Sequence, residues 1–215
     1  MKFICVLGLM VCVLSGCAAT RGHSAAPSST ETMSLSQLVS SGHDSALFEV
    51  TPAREGIVET EREAVLTETD RRVVRLVGLS EQVWERDERG WRLMSEVDVK
   101  DEVQLVYTPG MLLLPDRAAG AEPVVSTGDV VVRRLADGSL RASGQYETRV
   151  TAERSGEGVT VIERRSMGLT LASVDVEVWS DYDGRGLLQE RESRVTTRVL
   201  GLVPDVEVRG LRRVK

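Results

Sequence analysis

Residues 145–153 read Gln145-Tyr146-Glu147-Thr148-Arg149-Val150-Thr151-Ala152-Glu153. Successive side chains of an extended chain point to opposite faces. One face of this stretch carries Tyr146, Thr148, Val150 and Ala152. The other carries Gln145, Glu147, Arg149, Thr151 and Glu153. A period of two with one charged face specifies an antiparallel strand, half-buried and solvated on one side. The same rule holds over Thr170–Trp179, where Ala172, Val174, Val176 and Val178 share a face opposite Asp175 and Glu177. Valine is abundant throughout, and β-branched side chains suit a pleated surface.

Turn chemistry places hairpins between such runs. Asp137-Gly138 separates Val130–Leu135 from Leu140–Thr151, and Asp-Gly is a strong hairpin signal. Ser155-Gly156-Glu157-Gly158 and Asp183-Gly184-Arg185-Gly186 separate the next pairs, and Glu88-Arg89-Gly90 joins Val83–Asp87 to Trp91–Val99. Weaker strands are expected at 62–68, 71–79, 101–107 and 205–212. The expectation is a mainly β domain, a curved antiparallel sheet of roughly nine or ten strands forming an open barrel or a sandwich. Leu188–Arg198 is ambiguous. Its Glu190, Glu192, Arg194, Thr196 and Arg198 make one face polar, and only Val195 is strongly apolar on the other, so an edge position is expected.

One interval departs from the pattern. Tyr107-Thr108-Pro109-Gly110-Met111-Leu112-Leu113-Leu114-Pro115 places four large apolar residues between two prolines. Proline cannot donate to a ladder, so a central strand is not expected here. Two readings remain: a segment plugged into the core, or a loop whose Met111, Leu112, Leu113 and Leu114 contact a ligand or a membrane.

The N-terminus has another character. Met1-Lys2 is followed by an apolar run from Phe3 to Leu14 and then by Leu14-Ser15-Gly16-Cys17. A basic start, a short apolar segment of about 12 residues and small residues before a cut site describe a secretory signal. A membrane span needs about 20. Residues 18–34 are mostly Ala, Ser, Thr, Gly and Pro. They bury too little to offset ordering entropy and read as a flexible tether. The expected organisation is a signal peptide over 1–16, a lipidated tether over 17–34 and a single β domain over 35–215. Leu35 and Leu38 have helical spacing and suggest a short helical turn.

Leu14-Ser15-Gly16-Cys17 resembles the lipobox of bacterial lipoproteins. That resemblance implies a Cys17 thiol alkylated with diacylglycerol, cleavage before Cys17 and acylation of its amine. Two or three acyl chains give stable anchoring, at about 0.8 kcal/mol per buried methylene. Ala18 replaces the Asp that often retains such proteins at the inner membrane. The implied location is the bacterial outer membrane, with the domain in the periplasm. Cys5 and Cys12 leave with the signal and Cys17 is consumed by lipid. No thiol then remains among the three cysteines, and stability rests on the core and the sheet.

The chain has 215 residues, 41% of them hydrophobic and 28% charged, which is too apolar for wholesale disorder. Acids number 33 against 27 bases, a net charge of −6. An acidic chain is not steered to nucleic acid, so none is expected as a partner. The bases are 24 Arg and 3 Lys.

Candidate chemistry is sparse. His43-Asp44-Ser45 holds the three triad residue types, but a triad is assembled in space and three neighbours do not present it. His23 lies in the tether. Asp181-Tyr182-Asp183-Gly184 begins like a calcium loop, but that loop needs further oxygen ligands and a distal bidentate Glu; Arg185 puts a cation where a ligand would stand, and Glu190 and Glu192 would have to fold back, so a plain acidic hairpin is expected. Trp84, Trp91 and Trp179 read as core or rim packing rather than a ligand groove. Asp98 and Asp101 form an acid pair of the kind glycoside chemistry uses, without weight among so many acids. No catalytic residue, cofactor or metal is expected.

Two further resemblances concern the domain. Trp179, Tyr182, Gly184, Gly186, Leu187 and Leu188, with Tyr107-Thr108-Pro109 and Pro115, are similar to segments of uncharacterised bacterial envelope β proteins. A lipobox followed by a Val- and Leu-rich curved sheet is similar in outline to the outer-membrane receptor for lipoproteins, which holds acyl chains in a half-barrel. The first expectation is therefore a non-enzymatic envelope lipoprotein with a structural or assembly role, contacting the membrane through its lipid and another envelope protein. The alternative is a carrier of lipid or acyl chains.

Overall fold

The computed structural model describes residues 35–38, 46–51, 60–99, 101–116, 119–120 and 122–214. The expected signal peptide, the lipobox-like stretch with Cys17, the expected tether, His23 and His43-Asp44-Ser45 lie outside the described residues. A 3-10 turn, Leu35–Leu38, precedes twelve strands: β1 (Ala46–Thr51), β2 (Thr60–Glu68), β3 (Arg72–Val77), β4 (Ser80–Asp87), β5 (Gly90–Asp98), β6 (Val103–Pro115), β7 (Val124–Arg134), β8 (Leu140–Ser155), β9 (Gly158–Leu169), β10 (Ala172–Tyr182), β11 (Leu188–Val199) and β12 (Asp205–Arg213). Each strand pairs antiparallel with its sequence neighbours, and β1 pairs with both β2 and β12. The sheet is an up-and-down barrel, and it is closed rather than open.

The hairpins fall where the turn residues put them. Ser155 pairs with Gly158 across Gly156-Glu157, and Gly156 has a φ of 62°. Asp87 pairs with Gly90 across Glu88-Arg89. The count of nine or ten is corrected to twelve. One strand missed was β1, whose two inward residues, Phe48 and Val50, are too few to display a period.

Pairing fixes which side chains point inward. On β8 these are Tyr146, Thr148, Val150 and Ala152, and on β10 Val174, Val176, Val178 and Ser180. The main core joins them to Trp91, Leu93, Leu105, Tyr107, Met111, Leu113, Val130 and Val132 from β5–β7 and to Leu35 and Leu38 of the 3-10 turn. Arg164, Asp175, Glu177 and Arg198 of β9–β11 point outward, where Arg164 bonds Glu177 and Arg198 bonds Asp175 across strands. A barrel facing lipid needs an apolar outer band; this outer face is charged.

Two expectations about individual strands are corrected. Leu188–Arg198 is no edge: β11 is paired on both sides, and closure leaves no edge. Its inward face is polar because it meets a charged part of the interior. The interval from Tyr107 to Pro115 is not a loop but the second half of β6. The prolines are accommodated by broken pairing. Against β5, Val106 lies opposite Ser95 and Met111 opposite Leu93, so Pro109 falls in the interruption. Pairing with β7 stops at Thr108. Beyond it, side chains satisfy the backbone: the Arg92 guanidinium donates to the Gly110 carbonyl at 2.8 Å, the Tyr146 hydroxyl donates to the Pro109 carbonyl, and Leu112 N–H donates to Ser126 Oγ at 3.2 Å.

Candidate functional site

The barrel interior has two chemical halves. Strands β5–β8 contribute aromatic and aliphatic side chains. Strands β2–β5, with β9, β11 and β12, contribute Glu61, Glu63, Arg75, Gln82, Glu96, Glu163, Arg165, Arg191 and Arg209. Alternation brings them inside. Glu63 pairs with Val77, Val65 with Arg75, Gln82 with Glu96, and Arg191 with Leu211. Each charged residue therefore sits in register with an inward neighbour.

These charges are joined across the barrel. Glu63, buried on β2, accepts from Arg191 of β11 at 2.5 Å and from Arg75 of β3 at 3.4 Å. Arg191 also donates to Ser180 Oγ at 3.3 Å. Arg209 pairs with Glu61. On the other side, Glu163 accepts from Arg165 at 2.6 Å. Glu96 accepts from the Tyr107 hydroxyl at 2.5 Å and from Gln82 at 3.4 Å, and Gln82 in turn accepts from Trp84 Nε1. A buried charge left unpaired is strongly unfavourable, so the pairing is a condition of placing these side chains inside.

On the charged side of the interior lies a cavity of about 160 Å³, lined by β2–β6 and β9–β12. Its apolar wall is Trp84, Leu114, Val176, Val178, Val195 and Leu211, and its polar wall includes Arg75, Glu96, Glu163, Arg165 and Arg191. The Nε of Arg165 is buried there with no hydrogen-bond partner among the described residues.

The electrostatics push the pKa values of these groups further from neutral pH. Burial alone raises the Glu63 pKa, but the charges of Arg191 and Arg75 outweigh it and hold the carboxyl below its ordinary value. Burial, reinforced by Glu96, pushes the Tyr107 hydroxyl well above the usual phenol range. Burial lowers the Arg165 and Arg191 pKa values, yet Glu163 and Glu96 around the first and Glu63 beside the second raise both overall. A general acid or base works best with a pKa near the operating pH. Glu63, Arg165 and Arg191 hold fixed charge, and Tyr107 holds a fixed hydrogen-bond donor.

The residues singled out in the sequence are distributed as follows. Met111, Leu112, Leu113 and Leu114 are all buried, and only Leu114 reaches the cavity wall. Trp84 and Trp91 are core residues, and Trp84 also lines the cavity. Trp179 lies in register with Ile162 and Glu192, on the outward face. Asp183 is engaged within its own turn, accepting from Arg185 N–H at 2.9 Å, Leu187 N–H at 3.0 Å and the Gln189 side chain at 3.0 Å. Asp98 accepts from the Asp101 backbone N–H at 3.2 Å, a turn contact rather than a catalytic pair. The ion-paired layer was not legible in the sequence, although Arg191, Glu63 and Glu163 each stand within a period-two run. No protein-family description, curated protein or solved structure matches the chain.

Proposed function

We propose that the chain is a non-enzymatic lipoprotein of the bacterial envelope, held to the outer membrane through Cys17, whose periplasmic barrel serves a structural or assembly role. The observation that supports this reading over a lipid carrier is the filled interior. Met111–Leu114 occupies the core, and the inward charges are bonded to one another. The cavity of about 160 Å³ is close to the engineered cavity of about 150 Å³ that holds a benzene. Ligand pockets of drug size run to about 300–1,000 Å³. A long acyl chain needs more room than this cavity offers.

The carrier reading retains one favourable observation, the apolar wall of Val176, Val178, Val195 and Leu211 facing the unpartnered Arg165 Nε. Composition separates the two. Protein purified from membranes is extracted with organic solvent and its lipid counted. The structural reading expects only the acyl chains covalently bound at Cys17. Stoichiometric, non-covalent lipid would favour the carrier. The anchor is tested independently by Cys17→Ser, which should leave the chain unprocessed and unlipidated. A variant that still matured to the parent mass with its lipid attached would overturn the lipobox assignment.

A further inference from the structure

In an antiparallel meander, successive turns alternate between the two ends of the barrel. The β3–β4, β5–β6, β7–β8, β9–β10 and β11–β12 turns share one end. Each presents an exposed aliphatic side chain: Leu79 (65% exposed), Val99, Leu140, Leu171 and Val203 (90% exposed) in that order. The β11–β12 turn adds Leu200 and Leu202. The described turns at the opposite end carry no large exposed apolar residue; the exposed ones there, Leu47, Leu66, Val125 and Val214, lie on the adjoining strand ends and just after β12. They present Asp70-Arg71, Glu88-Arg89, Asp116, Gly156-Glu157 and Gly184-Arg185. Scattered single apolar residues on a surface need no explanation, but an end-to-end segregation repeated on five separate turns does.

We infer that this apolar crown docks on the surface of a zwitterionic lipid bilayer, a proposal that rests on the lipid-anchored reading above. Separate tips distributed around a ring meet a plane, each entering the boundary between headgroups and acyl chains independently. The charge argues for the lipid class. Among the described residues of these turns the charged ones are the acids Asp101, Glu102 and Asp137; Lys100, which stands between Val99 and Asp101 in sequence, lies outside the described residues, and the balance with it is still acidic. Such an end is repelled by anionic headgroups and binds by apolar insertion. The chain outside the described residues reaches far enough. Residues 18–34, between Cys17 and the turn at Leu35, can extend to about 60 Å. The crown can therefore meet the same leaflet that holds the acyl chains.

The test uses full-length protein purified from membranes and reconstituted into phosphatidylcholine vesicles with brominated acyl chains, which quench tryptophan on contact. Leu202→Trp places the reporter in the crown and Glu157→Trp places it at the opposite end; the parent gives the background of the native tryptophans. The expected result is loss of most of the added fluorescence in Leu202→Trp and none in Glu157→Trp. Leu140→Gln with Leu171→Gln in the Leu202→Trp background should restore it without shifting the melt, since both positions are exposed. Vesicle-bound protein with equal quenching at the two ends overturns the crown while leaving the anchor intact. Crown-to-crown or crown-to-protein crosslinks without quenching also overturn it, in favour of a protein partner. If intact mass reveals no acyl chains at Cys17, the anchor reading fails, and a persisting contrast between the two reporters still supports the crown.

Discussion

Leu113 has no exposed surface and packs among Tyr107, Val130 and the rest of the main core. Leu113→Glu places a charge there without a partner, at a cost of several kcal/mol against a total stability of about 5–15 kcal/mol. The expected outcome in a thermal melt is loss of the cooperative transition; a melt unchanged from the parent would mean that the segment is not core. Glu63 makes a pH prediction. Its folded-state pKa is lowered below the ordinary 4.5, so its stabilising contribution is complete above that value and is lost as pH falls through the lower folded value. Glu63→Gln strands Arg191 and Arg75 and should cost about 3–5 kcal/mol at neutral pH. It should also flatten the fall of Tm below about pH 4.5, because the titrating group is gone. An acid limb as steep as the parent's would assign the acid sensitivity elsewhere.

At the scale of elements, two strand contacts leave no slack. A Cβ built on Gly144 of β8 would lie 1.7 Å from the Gly168 carbonyl oxygen of β9. Backbone cannot give that distance cheaply, so Gly144→Ala should lower Tm and remove amide-exchange protection along the β8–β9 ladder first. The closure of the barrel depends on β1, which holds β12 through four residue pairs and packs Phe48 and Val50 on Leu188 and Leu211. Phe48→Ala should cost about 3–5 kcal/mol. Exchange should rise at Val50 and Leu211 before the β7–β10 core; uniform exchange across the sheet would contradict a separable seam. The long hairpins of β7–β10 were legible because each strand has one apolar and one charged face and because Asp-Gly and Gly-Glu-Gly mark the turns. The second half of β6 was not, because its proline is tolerated through hydrogen bonds that Arg92 and Tyr146 donate to the backbone and that Ser126 Oγ accepts from it, three side chains on three other strands. The inward direction of β11 was not legible either. Both of its faces are polar, and the partner that makes Arg191 an interior residue, Glu63, is 128 residues away in sequence.

For the whole molecule, charge is partitioned in a way that composition alone conceals. The outward face carries cross-strand pairs in water, each worth little. The inward pairs hold β2, β3 and β11 together around Glu63 and keep Arg165 between Glu163 and Glu96. Arginine suits this role, since it remains charged when buried and donates through several N–H groups. On the function proposed above, a barrel filled in this way offers its surfaces and ends, rather than its lumen, to other molecules. Native mass spectrometry of the full-length protein with added palmitate tests that claim most directly. The filled interior predicts no palmitate adduct on the parent protein. A one-to-one palmitate adduct on the parent protein, lost when Val176→Trp obstructs the cavity, would contradict it.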